Sequence, residues 1–368
     1  MTIDEQIVNW FEYFHANPEI SWEEHETTKK IASILDELSI SYKLLGDVPG
    51  LLAEIGEGED VVAVRADIDA LWQEVDGEWR ANHSCGHDAN ISMVLGALLH
   101  LKEQKQKLNH RVRFIFQPAE EKGNGAVATF ERGAVEDVTH LFGVHLRPIE
   151  ELKIGQVSPA IHHGAAVFLE GSIHGTDAHG ARPHQGQNAI DVVVAIQQMV
   201  KNIYISPFEP NSVKLTKIVA DGGSINIIPG SANFTMDVRA QKNVVLKDMQ
   251  SKVEHGLEAI KQQFNVDITW NWVDLTPGAE VSSEAAKMAE EAIVEVLGKE
   301  YLTPPVVTPG SDDFHFYTVL KPELKATMIG IGANLAPGLH HPKMTFEKEA
   351  LLDAAKVLSK LLSKTLVK

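Results

Sequence analysis

Short apolar runs alternate with amphipathic stretches through most of this chain, and that alternation leaves little room for anything but an α/β sheet. Ile7, Trp10, Phe11 and Phe14 fall at three- and four-residue spacing and predict a first helix. Val61-Val62-Ala63-Val64 predicts a strand, and a helix follows over 91–101, with Asp88 placed to cap it. Val112, Phe114 and Phe116 alternate as a second strand, and Leu141-Phe142-Gly143-Val144 makes a third. Strand–helix–strand order of this kind predicts a mostly parallel sheet.

Between about 165 and 272 the pattern changes. A strand over 167–173 precedes a helix with Ile190, Val193, Ile196, Val200 and Ile203 on one face. Strands over 213–219 and 232–238 follow, then a helix carrying Met249, Val253, Leu257, Ile260 and Phe264, and a strand over 266–270. The order βαββαβ is that of a ferredoxin-like split unit. Beyond it the α/β pattern resumes with a helix over 284–297, a strand over 327–331 and a terminal helix. The expected architecture is a mixed, mostly parallel α/β catalytic domain built from 1–164 and 275–368. A ferredoxin-like α+β lid, 165–274, is inserted into it. A length of 368 residues suits two domains.

Composition narrows the function. With 33 basic against 51 acidic residues the formal charge is -18, and no basic cluster stands out to displace counterions from nucleic acid. No apolar run approaches the roughly 20 residues that cross a bilayer, and the first residues lack the basic-then-apolar order of a signal peptide. The single cysteine, Cys85, excludes an intrachain disulfide. These features fit a cytoplasmic enzyme with neither a nucleic-acid nor a membrane partner.

The residues just beyond each strand carry a more specific signal. Arg65-Ala66-Asp67-Ile68-Asp69 comes after the first, and Ser84-Cys85-Gly86-His87-Asp88 stands just before a helix. Gln117-Pro118-Ala119-Glu120-Glu121 follows Phe116, His145 follows Val144, and Leu339-His340-His341-Pro342 follows the strand at 327–331. Singly, each has an ordinary explanation. Cys85 suits a small buried hydrophobe, His87 a helix-entry hydrogen bonder, and the acid pair a solvated loop. His145 suits a core histidine and the His340-His341 doublet an exposed loop. Together they put thiol, imidazole and carboxylate groups where strands end, the edge at which open α/β sheets bind ligands. Cys85 and His87, two apart across a glycine, can face one ion, and a thiolate with an imidazole suits zinc or a similar metal.

These segments, in this order, resemble the metal-dependent aminoacylase and carboxypeptidase superfamily. The likeness is greatest to the branch containing auxin-conjugate hydrolases, hippurate hydrolases and N-acetyl-amino-acid deacetylases. It runs from His15-Ala16-Asn17-Pro18-Glu19 through the segments above. It continues through His179-Gly180-Ala181-Arg182-Pro183-His184, Asn226-Ile227-Ile228-Pro229 and Gly310-Ser311-Asp312-Asp313-Phe314 to His340-His341-Pro342. The resemblance implies two divalent ions held by Cys85, His87, Glu121, His145 and His340. His340 is preferred to His341 because the family histidine stands two residues before the proline. It also implies Glu120 as general base, Asp67 as a carboxylate supporting the site from behind, and His179, Asn226 and Arg239 as lid residues that meet substrate. Zinc fits the mixed donor set, with manganese or cobalt as alternatives. Relatives often pair through the lid, so a homodimer is expected.

The chain departs from the family at Trp72, where proline is usual, at Asn90 in place of a frequent histidine, and at Asp312 in place of glutamate. It also has Met236-Asp237 where Gly-Thr is common. The expected activity is hydrolysis of the amide of an N-acyl amino acid by metal-activated water. Dipeptide or C-terminal peptide cleavage, or a non-catalytic binding relative, are the alternatives. A serine α/β-hydrolase is excluded, since Gly-x-Ser-x-Gly is absent.

Overall fold

Val61–Asp67 is buried along its whole length, as a strand covered on both faces must be. Its alternation sorts the two sides. Val62, Val64 and Ala66 join one hydrophobic cluster, while Val61 and Ala63 join another with Phe314 and Tyr317. The computed structural model describes residues 1–104 and 108–364. The chain forms two units, one of Met1–His162, Glu280–Val307 and Asp313–Lys368, the other of His163–Ala279 and Thr308–Asp312.

The first unit is built on a seven-stranded sheet. Its order is Tyr42–Leu44, Leu51–Gly56, Arg111–Gln117, Val61–Asp67, Val138–Pro148, Lys325–Leu335, Val157–Ser158. The four strands from Arg111–Gln117 to Lys325–Leu335 are mutually parallel, and antiparallel strands close both sides. Helix His87–Glu103 is buried on nearly every side, which explains why its sequence shows so little amphipathic contrast. At Gly96 an added Cβ would lie 2.6 Å from the Ile7 side chain and 2.9 Å from the Ala355 Cβ, so glycine lets three helices approach closely. Asp88 does not cap this helix. The helix starts one residue earlier, at His87, with Gly86 as its N-cap at φ 90°, and Asp88 lies in the first turn.

The second unit holds a four-stranded antiparallel sheet in the order Asn211–Val219, Ser231–Ala240, Ala165–His174, Asp267–Thr276. Ala232, Phe234, Met236, Val238 and Ala240 alternate into a core with helices Ala189–Lys201 and Asn243–Phe264. Ile190, expected on the packed face, is half exposed in the first helical turn. Strand Asp267–Thr276 outruns its apolar stretch because backbone pairing with Ala165–His174 carries it past Asn271 and Asp274. Among the described residues, no helix is long and apolar enough to cross a membrane.

Candidate metal centre

Gly86 sits between the two ligand-type residues of its loop, and its left-handed backbone is one that side-chain-bearing residues avoid. Cys85 and His87 flank it, both buried. Nδ1 of His87 lies 3.0 Å from the Asp69 carbonyl and 3.1 Å from Asp69 Oδ1. A carbonyl can only accept, so Nδ1 carries the proton and Nε2 presents its lone pair. His145 repeats the device, with Nδ1 2.7 Å from the Leu146 carbonyl and Nε2 3.6 Å from Cys85 Sγ. Strand Val138–Pro148 continues three residues past His145, so this histidine lies within a strand rather than after one. Its pairing with Lys325–Leu335, Gly330 opposite His145, holds it there.

The acid pair enters from a 3₁₀ turn, Glu120–Lys122, that follows Ala119 at φ 53°. Gly125 makes this tight turn feasible, since a Cβ there would lie 1.7 Å from the Pro118 carbonyl oxygen. Glu120 Oε2 and Glu121 Oε1 stand 3.8 and 4.0 Å from His87 Nε2. His340 Nε2 is 3.4 Å from Glu121 Oε1. His341 is turned elsewhere: its Nδ1 accepts the Lys343 N–H at 3.1 Å. Among the described residues, three of the sets of ligand atoms that gather within 4.8 Å are drawn from these side chains alone: Cys85, His87 and His145; Cys85, Glu121 and His340; and His87, Glu120 and Glu121.

Two buried atoms in this group, His87 Nε2 and Glu121 Oε1, have no hydrogen-bond partner among the described residues. A divalent ion is the kind of partner that satisfies a lone pair and a carboxylate oxygen together, so the donor set fits one. The local field agrees. Burial, then the charge of Glu121, pushes the Cys85 thiol well up. On His87, burial disfavours the cation but is outweighed by Asp67, Cys85 and Asp69, which raise it well above its usual value, so a bound metal ion would take the place of a proton on Nε2.

A polar network supports these groups, and most of it carries no mark in the sequence. Arg65, almost fully buried, bonds Asp67, reaches Asp313 Oδ1 at 2.7 Å and donates Nε to Gln117 Oε1 at 3.0 Å. Asn90 donates to the other Asp67 oxygen at 2.7 Å. Asp69 Oδ2 accepts from Ser21 Oγ and from the Glu121 N–H, at 2.7 and 3.0 Å, while Oδ1 faces His87. The one signal available was the spacing of Arg65, Asp67 and Asp69, three charged groups alternating out of an apolar strand.

Glu24 is another group that sequence reasoning missed. It is wholly buried at the N-cap of helix His25–Glu37, and its Oε1 accepts the Ala119 N–H at 2.7 Å. Burial first, and the charge of Asp69 next, push its carboxyl up to about 8. The native chain therefore keeps a proton that the unfolded chain has lost between pH 4.5 and about 8, so stability declines as pH rises through that window. Glu24→Gln should gain about 2–3 kcal/mol on the wild type from pH 5 to pH 7, at roughly 1.4 kcal/mol per unit. Urea unfolding at the two pH values measures it; equal differences at both would remove Glu24 as the source.

In the second unit the structure brings His179 and Asn226 together. Strands Ala178–His179 and Ile227–Ile228 pair, and Gly180 N–H donates to the Asn226 carbonyl at 2.8 Å. Arg239 stands elsewhere, near the far end of strand Ser231–Ala240, with its Nε 2.9 Å from Asp237 Oδ1.

A sequence profile of peptidase family M20/M25/M40 matches residues 63–364. The chain is 30% identical over 382 residues to an N-acetylcysteine deacetylase of Bacillus subtilis, covering 97% of this chain and 96% of the relative. It is 31% identical over 326 residues to IAA-amino acid hydrolase ILR1-like 4 of Arabidopsis thaliana, covering 82% and 72%. Among solved structures, the YXEP protein of Bacillus subtilis, described as a dinuclear metal binding peptidase, superposes with a TM-score of 0.84 at 26% identity. That match covers 99% of this chain and 98% of the other.

Proposed function

The chain belongs to peptidase family M20/M25/M40 and is a metal-dependent amide hydrolase, and on that footing we propose that it removes the acyl group from N-acyl amino acids with Glu120 as general base. Cys85, His87, Glu121, His145 and His340 would hold two divalent ions, with Cys85 common to two of the donor groups. The mixed sulfur, nitrogen and oxygen set suits zinc. When bound, such ions polarise an amide carbonyl and lower the pKa of water toward about 7.

One observation carries the reading: two adjacent carboxylates face the same imidazole nitrogen. Glu121 is in place to ligate and Glu120 to move a proton. Asp313 N–H donates to Glu120 Oε1 at 3.3 Å, which leaves Oε2 turned toward His87. In this role Oε2 accepts a proton from water and returns it to the departing nitrogen, which leaves as a neutral amine. The proton held on Nδ1 of His87 and of His145 fixes the tautomer of those two rings. Asp67 supports the site through Arg65 and Asn90, and His179, Asn226 and Arg239 are the candidate substrate contacts.

The test is a panel of N-acyl amino acids, indole-acetyl conjugates and dipeptides assayed with the protein reconstituted in zinc, manganese or cobalt. The expected result is metal-dependent release of free amino acid from the acylated members, abolished by chelator. Preference for dipeptides would move the substrate class to peptides, and turnover indifferent to chelation would end the metal reading.

A further inference from the structure

Strands Leu71–Val75 and Glu78–Asn82 form a hairpin whose two faces differ in what they touch. Trp72 and Trp79 share the outer face, each more than half exposed. Gln73 and Asn82 share the inner face, and that face meets the loop carrying His340. Gln73 Nε2 donates to the His340 carbonyl at 2.8 Å, while Gln73 Oε1 accepts from Ser84 Oγ at 2.7 Å and from Asn82 Nδ2 at 3.1 Å. Asn82 Nδ2 also reaches the Pro342 carbonyl at 3.1 Å, and the His340 N–H donates to the Ser84 carbonyl at 2.7 Å.

Both peptide groups flanking His340 are thus tied to the segment that ends in Cys85. The tie matters because His340 sits at φ 63°, a left-handed conformation that a side-chain-bearing residue keeps only when its surroundings hold it there. Cys85 Sγ, a Glu121 oxygen and a His340 nitrogen are mutually within 4.8 Å. Their spacing depends on how the 73–84 segment is pinned to the 340–342 loop.

We propose that Gln73 is a positioning residue for one of the two ion sites. Through its amide it fixes the His340 backbone relative to Cys85 and so sets the geometry of the Cys85–Glu121–His340 donor group. This rests on the two-ion reading above. The donor group of Cys85, His87 and His145 shares Cys85 with that group but does not include His340, the residue whose backbone Gln73 holds, so the two sites should respond differently.

Gln73→Glu is the informative variant. It retains acceptors for Asn82 and Ser84 but replaces the donor with a carboxylate oxygen against the His340 carbonyl. Gln73→Met keeps the length and removes all three bonds. The measurement is stepwise cobalt(II) binding to the full chain by chelator competition, followed by visible absorption and accompanied by thermal melting. The expected result is that both variants bind one cobalt ion with wild-type affinity and the second about 10- to 100-fold more weakly, with melting of the metal-stripped protein unchanged. Two wild-type affinities in Gln73→Glu overturn the proposal and leave the two-ion reading intact. Equal weakening of both sites, or lowered melting with it, also overturns the proposal by showing a general loosening. A wild-type protein that binds fewer than two ions fails the reading beneath it.

Discussion

Replacing Glu120 with glutamine should lower kcat on the preferred substrate by about 10²–10⁴-fold, or roughly 3–5 kcal/mol of barrier, while the protein still binds two divalent ions. Glutamine keeps the size of the side chain and an oxygen to accept the Asp313 N–H, so the turn at Glu120–Lys122 has no reason to move. What disappears is the capacity to take a proton from water and hand it to the departing nitrogen. Glu121→Gln, one residue on, should behave differently, since its oxygen stands 3.4 Å from His340 Nε2 and 4.0 Å from His87 Nε2. That variant should lose metal first and activity as a consequence. Parallel measurement of bound metal and single-turnover rate separates the two. Wild-type kcat in fully loaded Glu120→Gln would transfer the base role to another group.

The second large effect is on stability. Arg65→Met should cost about 3–5 kcal/mol, because the guanidinium is the buried counterion of two carboxylates, Asp67 and Asp313, that the fold keeps out of water. Methionine fills much of the same space, so the loss reports uncompensated charge rather than a cavity. Arg65→Lys should fall between, as one ammonium cannot bond Asp67, Asp313 and Gln117 with the spread of a guanidinium. Urea unfolding of the three proteins at neutral pH orders them. A methionine variant unfolding at the wild-type midpoint would show that the two carboxylates do not depend on Arg65 as their counterion.

Much of the fold was legible because each element carries its own period. Val112, Phe114 and Phe116 announce a strand, and Met249, Val253, Leu257 and Ile260 a helix, before any partner is known. Strand ends were less legible. His145 and Asn271 belong to strands because of what pairs beside them, and pairing has no signature in a single segment. Asp88 was misplaced as a cap for a similar reason: the helix begins where Gly86 permits the turn, not at the first good capping side chain.

The candidate site divides along the same line. Which residue types can ligate, and the order in which they occur along the chain, are properties of the sequence, and Cys85, His87, Glu120, Glu121, His145 and His340 could be named from it. Of their supports, Asp67 could be named with them, but Arg65 and Gln73 could not. Arg65 meets Asp313 across 248 positions and Gln73 meets His340 across 267, and neither glutamine nor arginine is marked in sequence as anything but a polar residue in a strand. Local chemistry is written residue by residue, whereas a hydrogen bond over such a separation exists only after folding has brought distant segments of the chain side by side.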